Sequence, residues 1–214
     1  SINHKCKIIG VEPYGAASLT KSIKYNKRIK LDKIDTFVDG ASVSQIGERN
    51  YNILKNVINK TITIKNGYVC HEMINIYQNE GIILEPAGVL PICGLEKIRE
   101  IIKGKTVVCI LSGGNNDITR YNEIMEYNLN YLNLKHYFIV DFVQKPNQLK
   151  IFVNNVLNQG DDITRFEYIK KSNRNFGKVF VGIELEKEEN LISIINNLNK
   201  YFNKYEKIEK NDVV

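Results

Sequence analysis

The segment with the most chemical potential is Leu111-Ser112-Gly113-Gly114-Asn115, a hydroxyl and two glycines placed between a β-branched run and a helical pattern. Paired glycines there let the backbone approach a planar or anionic ligand, and amides at a helix start add positive potential. Many strand-to-helix turns hold two glycines, so the pattern alone is weak. Three further turns share its character: Gly10-Val11-Glu12-Pro13, Val38-Asp39-Gly40 and Glu85-Pro86-Ala87-Gly88. Each stands where an apolar extended run stops. Other candidates fall away. His71 follows Cys70, and neighbours on a helix do not face each other. Ser18-Leu19-Thr20-Lys21 matches S-x-x-K, but the accompanying S-D-N and K-T-G are missing. The three histidines share no metal-binding spacing, and the four cysteines lack C-x-x-C. They read as free thiols, with Cys109 buried in its apolar run.

The elements that must position these turns alternate between strand and helix over the first 134 residues, the signature of an α/β sheet covered by helices. Strands are expected at Lys7–Val11, Phe37–Val38 and Ile82–Leu84. Thr106 to Leu111, apolar or β-branched throughout, is expected to be a central strand buried on both faces. Helices are expected over Ser44–Asn59 with Ser44 as cap, Tyr68–Asn79 closed by Gly81, Val89–Ile102 closed by Gly104, and Ile118–Leu134 as a neck. Past Leu134 the rhythm becomes strand (His136–Val143), helix (Asn147–Leu157), two strands (Asp162–Lys170 and Val179–Glu186) joined by a hairpin loop at 172–177, helix (Glu188–Phe202) and strand (Tyr205–Ile208). That βαββαβ order is the ferredoxin-like arrangement, two helices against one face of an antiparallel sheet. Two domains result, 1–134 and 135–214.

Composition narrows the class. The chain has 214 residues, 43% hydrophobic and 25% charged, which is ordinary for a folded protein. The net charge of +6 is spread thinly, and Lys204 to Lys210 alternates Lys with Glu as a solvated face does, so nucleic acid is not an expected partner. No apolar stretch reaches the ~20 residues that a bilayer demands, and no secretory pattern opens the chain, so a cytoplasmic protein is expected. Ser1 stands where an initiator methionine would, with a strand pattern beginning at Lys7. The chain is therefore expected to be cut from something longer.

The four turns, in this order, resemble the serine/threonine dehydratase family of pyridoxal-phosphate enzymes. Lys135-His136-Tyr137-Phe138-Ile139-Val140 and Asp161-Asp162-Ile163-Thr164-Arg165-Phe166-Glu167-Tyr168 resemble the regulatory module of bacterial biosynthetic threonine dehydratases. The resemblance implies the C-terminal part of a fold type II (tryptophan synthase beta-like) open sheet, followed by an ACT-like ferredoxin domain. It implies Ser112 as partner of the cofactor's pyridine nitrogen. A hydroxyl, unlike a carboxylate, does not stabilise a charged pyridinium, so the ring is a weaker electron sink and elimination is favoured. Gly113, Gly114 and Asn115 would shape the turn beneath the ring, Glu85 would stand close to it, and Gly40 would pass its backbone nearby. Glu12 and the carbonyl of Ala16 match two ligands of a divalent-cation site in some relatives. Ser18 stands where the third, acidic ligand is usual, so no metal is expected.

The same resemblance places the family's Schiff-base lysine and phosphate-binding loop upstream of Gly10-Val11-Glu12-Pro13, so no catalytic residue is expected on this chain. The implied parent enzyme is a lyase that converts L-threonine to 2-oxobutanoate and ammonia in isoleucine biosynthesis. Its regulatory module would take isoleucine, and in some members valine, as effectors. Gln144, Asn147, Leu149, Arg165 and Phe166 are the candidate contacts, and a homo-oligomer is expected. Two other readings stand beside it: an isolated amino-acid-binding regulatory fragment without catalysis, and an RNA-binding module of the same βαββαβ order. Against the latter, Phe180 is the one ring central to its strand, and RNA stacking needs aromatics on adjacent strands.

Overall fold

In the computed structural model, which describes residues 6–168 and 175–208, the run after Lys7 forms β1 (Ile8–Pro13). It pairs in parallel with β2 (Ile58–Ile64), with Gly10 opposite Thr61 and Val11 opposite Ile62. Parallel neighbours need a long crossover, and here it contains α1 (Ser18–Lys24) and α2 (Glu48–Val57). Then come α3 (Asn66–Glu80), α4 (Pro86–Lys97), α5 (Arg99–Ile102) and α6 (Tyr121–Tyr131). The chain divides into two units, residues 1–128 and 129–214, so α6 runs past the boundary.

The first unit buries one face of α3 (Val69, Cys70, Met73, Ile76) against Val89, Leu90 and Cys93 of α4 and Ile62 and Ile64 of β2. Those α3 positions recur at helical spacing and form the apolar stripe that drives the packing. Burial pushes the Cys93 thiol up to about 12 and raises that of Cys70 as well.

Several expected elements differ. Phe37 and Val38 are core residues but no strand, because the Phe37 amide donates to Asp35 Oδ1 (2.9 Å) and bends the chain. Ser44 caps no helix. Its carbonyl accepts from the Leu31 amide (2.8 Å) and that of Ile46 from Arg28 Nε (3.1 Å), which holds the segment irregular until Gly47. The helix also ends early, at Val57, where the alternating residues of β2 take over. Ile82 to Leu84 and Thr106 to Leu111 are not strands, and Val108 is 83% exposed. A strand buried on both faces needs partners on both sides, and among the described residues none pairs with 106–111. The run instead borders an apolar groove of about 500 Å³ with Ile9, Val11, Ile62 and Leu95. Cys109, on the same run, is half-buried rather than buried.

The second unit follows its expected order closely. It consists of β3 (Lys135–Val143), α7 (Gln148–Asn155), β4 (Asp162–Tyr168), β5 (Phe176–Glu184), α8 (Asn190–Tyr201) and β6 (Tyr205–Ile208). The sheet order is β4-β5-β3-β6, antiparallel throughout. Phe138, Val140 and Phe142 alternate with Val179, Val181 and Ile183 on the face that α7 and α8 cover, through Phe152, Ile194 and Leu198. Asp161 fastens the start of β4. Its carboxylate accepts from Asn190 Nδ2 (2.8 Å), Asn158 Nδ2 (2.8 Å) and the amides of Asn158 (3.0 Å) and Glu186 (3.1 Å). Burial alone would raise this carboxyl, but the four donors outweigh it and hold it below the usual range. The expected end of the first hairpin strand at Lys170 and the loop residues 172–174 lie outside the described residues, as do Glu209 and Lys210 of the tail.

Candidate cofactor site

The loop after residue 111 and the start of α4 meet at hydrogen-bond distance, the Glu85 amide donating to the Gly113 carbonyl (2.7 Å). Gly113 has φ +72°, a left-handed conformation that side chains resist. The Glu85 side chain lies where a Gly113 Cβ would stand. Gly88, in the first turn of α4, has no room for a side chain because the Ser112 carbonyl fills that space. Gly40 completes the group: a Cβ built on it would stand 3.0 Å from Ala87 Cβ and 3.3 Å from Glu85 Oε1. Ser112, Gly113, Glu85 and Gly40 are thus brought together from three separate segments. Ser112 to Asn115 are exposed, so a ligand has access to the loop. Gly114 is further out, nearest the Ile83 carbonyl at 3.7 Å from its virtual Cβ.

Two polar groups beside this cluster went unnoticed in the sequence. Ser42 Oγ, just after the Gly40 turn, and Asn116 Nδ2, just after the glycine loop, are both buried without a hydrogen-bond partner among the described residues. Buried donors are nearly always paired. Ser42 and Asn116 each stand next in sequence to one of the turns that meet here. No sequence signal marks either residue, because their burial arises from tertiary packing.

Of the two cation candidates, Glu12 has a structural role. Glu12, 9% exposed, accepts from the amides of Leu19 (2.8 Å) and Thr20 (2.6 Å) and from the Thr20 hydroxyl (2.7 Å). It caps the orphan amides of α1. Ala16 is fully buried. Among the described residues no group of three His, Cys, Asp or Glu could hold a metal.

In the second unit, the effector candidates separate. The Gln144 amide donates to the Asn175 carbonyl (3.0 Å), and its Nε2 is buried without a partner among the described residues. Asn147 precedes α7 in a left-handed conformation (φ 71°), and Leu149 is exposed. Arg165 lies on the open face of the sheet, bonded to Glu167 (2.7 Å) and stacked 4.7 Å from the Phe180 ring centre. Phe166 turns to the covered face, its ring edge-on to Phe142. Successive strand residues face opposite ways, so the structure does not bring Arg165 and Phe166 together. Phe180 is not an isolated ring on the open face, because Tyr137 of the adjacent strand stacks on it at 5.6 Å.

Known proteins resemble both parts of the chain. Residues 1–113 match the family of pyridoxal-phosphate dependent enzymes, and residues 126–214 match the C-terminal regulatory domain of threonine dehydratase. The chain is 45% identical over 212 residues to L-threonine dehydratase biosynthetic IlvA of Halalkalibacterium halodurans, covering 99% of this chain and 51% of the relative. It is 46% identical over 202 residues to the Staphylococcus aureus protein of the same name, covering 94% and 48%. The chain spans about half the length of the curated relatives it matches. Among solved structures, threonine deaminase isoform 2 (processed form) from Solanum lycopersicum superposes with a TM-score of 0.55 at 35% identity, over 59% of this chain and 37% of that one. Maize serine racemase (TM-score 0.52, 22% identity, 58% and 41% covered) shares the fold. The chain belongs to the pyridoxal-phosphate dependent enzymes, and within them to the biosynthetic threonine dehydratases, with a portion of the catalytic domain followed by the C-terminal regulatory domain.

Proposed function

We propose that this chain is the part of an L-threonine ammonia-lyase that floors the cofactor site and carries the effector-binding domain. The whole protein would convert threonine to 2-oxobutanoate and ammonia. The observation that carries this reading is the convergence of Ser112, Gly113, Glu85 and Gly40 on one exposed loop. Bound there, pyridoxal phosphate supplies an electron sink for removal of the substrate's α-proton. The Ser112 hydroxyl would face the pyridine nitrogen, Gly113 to Asn115 would underlie the ring, and Glu85 and the Gly40 backbone would border it. A neutral hydroxyl at that position would offer no charge to balance a protonated pyridine nitrogen, which would suit elimination.

The catalytic portion is assigned to residues 1–134 and the regulatory domain to 135–214. The unpaired run 106–111 and its apolar groove are, on this reading, surfaces that further catalytic-domain polypeptide covers. The family's Schiff-base lysine is not among this chain's lysines, so the chain alone is inactive. Isoleucine, and valine in opposition, are the proposed effectors of a homo-oligomer. Candidate contacts are the loop from Gln144 to Leu149 and, on opposite faces, Arg165 and Phe166. Buried free thiols at Cys70 and Cys93 suit a reducing cytoplasm.

Borohydride reduction of the chain with pyridoxal phosphate should label no lysine selectively. One dominant labelled lysine together with 2-oxobutanoate release would overturn the inactive assignment. Calorimetry with isoleucine tests the effector role, since folded chain that gives no heat excludes it.

A further inference from the structure

Arg120 belongs to none of the four turns, yet its side chain grips one of them. Its Nη2 donates to the Phe37 carbonyl (2.7 Å), and its Nη1 lies 3.7 Å from Asp39 Oδ1. The guanidinium carbon stands 5.0 Å from the centre of the Phe37 ring, and Nε lies 3.6 Å from Glu123 on α6. The side chain is three-quarters covered. Behind Phe37, the Tyr127 ring of α6 packs at 4.6 Å. The same Asp39 Oδ1 accepts from the Gly40 amide (3.0 Å), and Gly40 abuts Glu85 and Ala87. A planar fork that bonds a carbonyl, pairs with carboxylates and lies on a ring face at once is a geometry lysine does not reproduce.

The position of Arg120 in the chain matters equally. Asp117, at the end of the glycine loop, accepts from the Thr119 amide (2.9 Å) and starts the short turn that delivers Arg120 to the head of α6. One stretch of chain therefore supplies the loop beneath the ring and the clamp on the turn beside it. The helix that follows continues beyond residue 128, past the unit boundary.

We propose that Arg120 is a positioning residue of the cofactor site: it fixes the Gly40 turn against Glu85 and makes that placement follow the position of α6. This rests on the cofactor reading above. Among the described residues the Arg120 side chain reaches the Gly40 turn through Phe37 and Asp39, so a displacement of α6 reaches Gly40 by way of this clamp.

Hydrogen exchange on the 214-residue chain tests it. The Ala41 and Ser42 amides donate to the Val38 and Asp39 carbonyls (3.0 and 3.3 Å) and report directly on the turn. In Arg120→Ala both should exchange about tenfold faster or more, as expected for loss of a charge-assisted bond, with β3 and β5 unchanged. Arg120→Lys should recover only part of the protection, and millimolar ethylguanidine added to Arg120→Ala should recover more. Wild-type exchange in Arg120→Ala, or full recovery by lysine, overturns the proposal. If Arg120→Ala does not fold, Arg120→Gln replaces it and the same criteria apply. A second arm uses a longer polypeptide that joins this sequence to the remainder of a dehydratase catalytic domain. There, Arg120→Ala should lose pyridoxal phosphate faster than wild type. If the wild-type polypeptide holds no pyridoxal phosphate, the cofactor reading fails, and the exchange result alone still decides whether Arg120 holds the turn.

Discussion

Replacing Gly88 with alanine tests the site at its tightest point, because the expected sign opposes the intrinsic one. Within a helix exposed to solvent, Gly→Ala stabilises by about 1 kcal/mol through backbone entropy and helix propensity. At Gly88 the new methyl would overlap the Ser112 carbonyl, which is backbone and has no rotamer to escape into. Forcing a methyl into filled space costs about 1–3 kcal/mol. Displacing the loop also endangers the Glu85 amide bond to the Gly113 carbonyl, worth about 1 kcal/mol. The sum is a net destabilisation of about 1–3 kcal/mol, which lowers a urea midpoint by roughly 1 M. Gly114→Ala is the control: its virtual Cβ meets nothing closer than the Ile83 carbonyl at 3.7 Å, so its effect should stay within about 0.5 kcal/mol. Urea unfolding of both variants, with hydrogen exchange at the Glu85 amide, distinguishes them. A Gly88→Ala chain as stable as wild type, or more so, would mean that the Ser112 carbonyl does not rest on α4, and the assembled site would lose its floor.

Three further outcomes follow from the packing and the charges. Phe142→Ala empties the ring cluster formed with Phe152, Phe166 and Phe202, and should destabilise the second unit by about 3–5 kcal/mol in denaturant unfolding. Asp161 has its folded pKa depressed, so its contribution is complete well above the unfolded value of about 3.9 and is lost as pH falls through the folded pKa. Asp161→Asn should therefore be less stable than wild type at neutral pH, and the gap measured by urea unfolding should narrow in acid. Iodoacetamide at pH 8 should modify exposed Cys6 and spare Cys93, whose thiol is pushed up to about 12 by burial, until denaturant is added.

The second unit was legible in the sequence because each element buries its face within the unit. Val179, Val181 and Ile183 alternate against Phe138, Val140 and Phe142, so period and packing agree. The first unit was less legible where the same inference failed. Thr106 to Leu111 has the composition of a central strand, but composition reports a preference for a buried, paired environment and does not create the partners. Ile58 to Ile64 shows the converse: its Thr-Ile-Thr-Ile alternation was hidden behind the helical spacing of Ile53, Leu54 and Val57, although it supplies the partner of β1. Three of the four turns meet and bring Ser112, Gly113, Glu85 and Gly40 together, although the run before Ser112 is not a strand. Arg120 was invisible in the sequence. Its partners are a backbone carbonyl and a ring 83 residues earlier in the chain, and no local pattern encodes a contact at that separation. A glycine turn can be found from its own residues, whereas the side chain that fixes its place is identified only once the fold exists. Positions of the second kind are where, on the proposed reading, a shift of α6 would reach the Gly40 turn without altering any group proposed to border the cofactor.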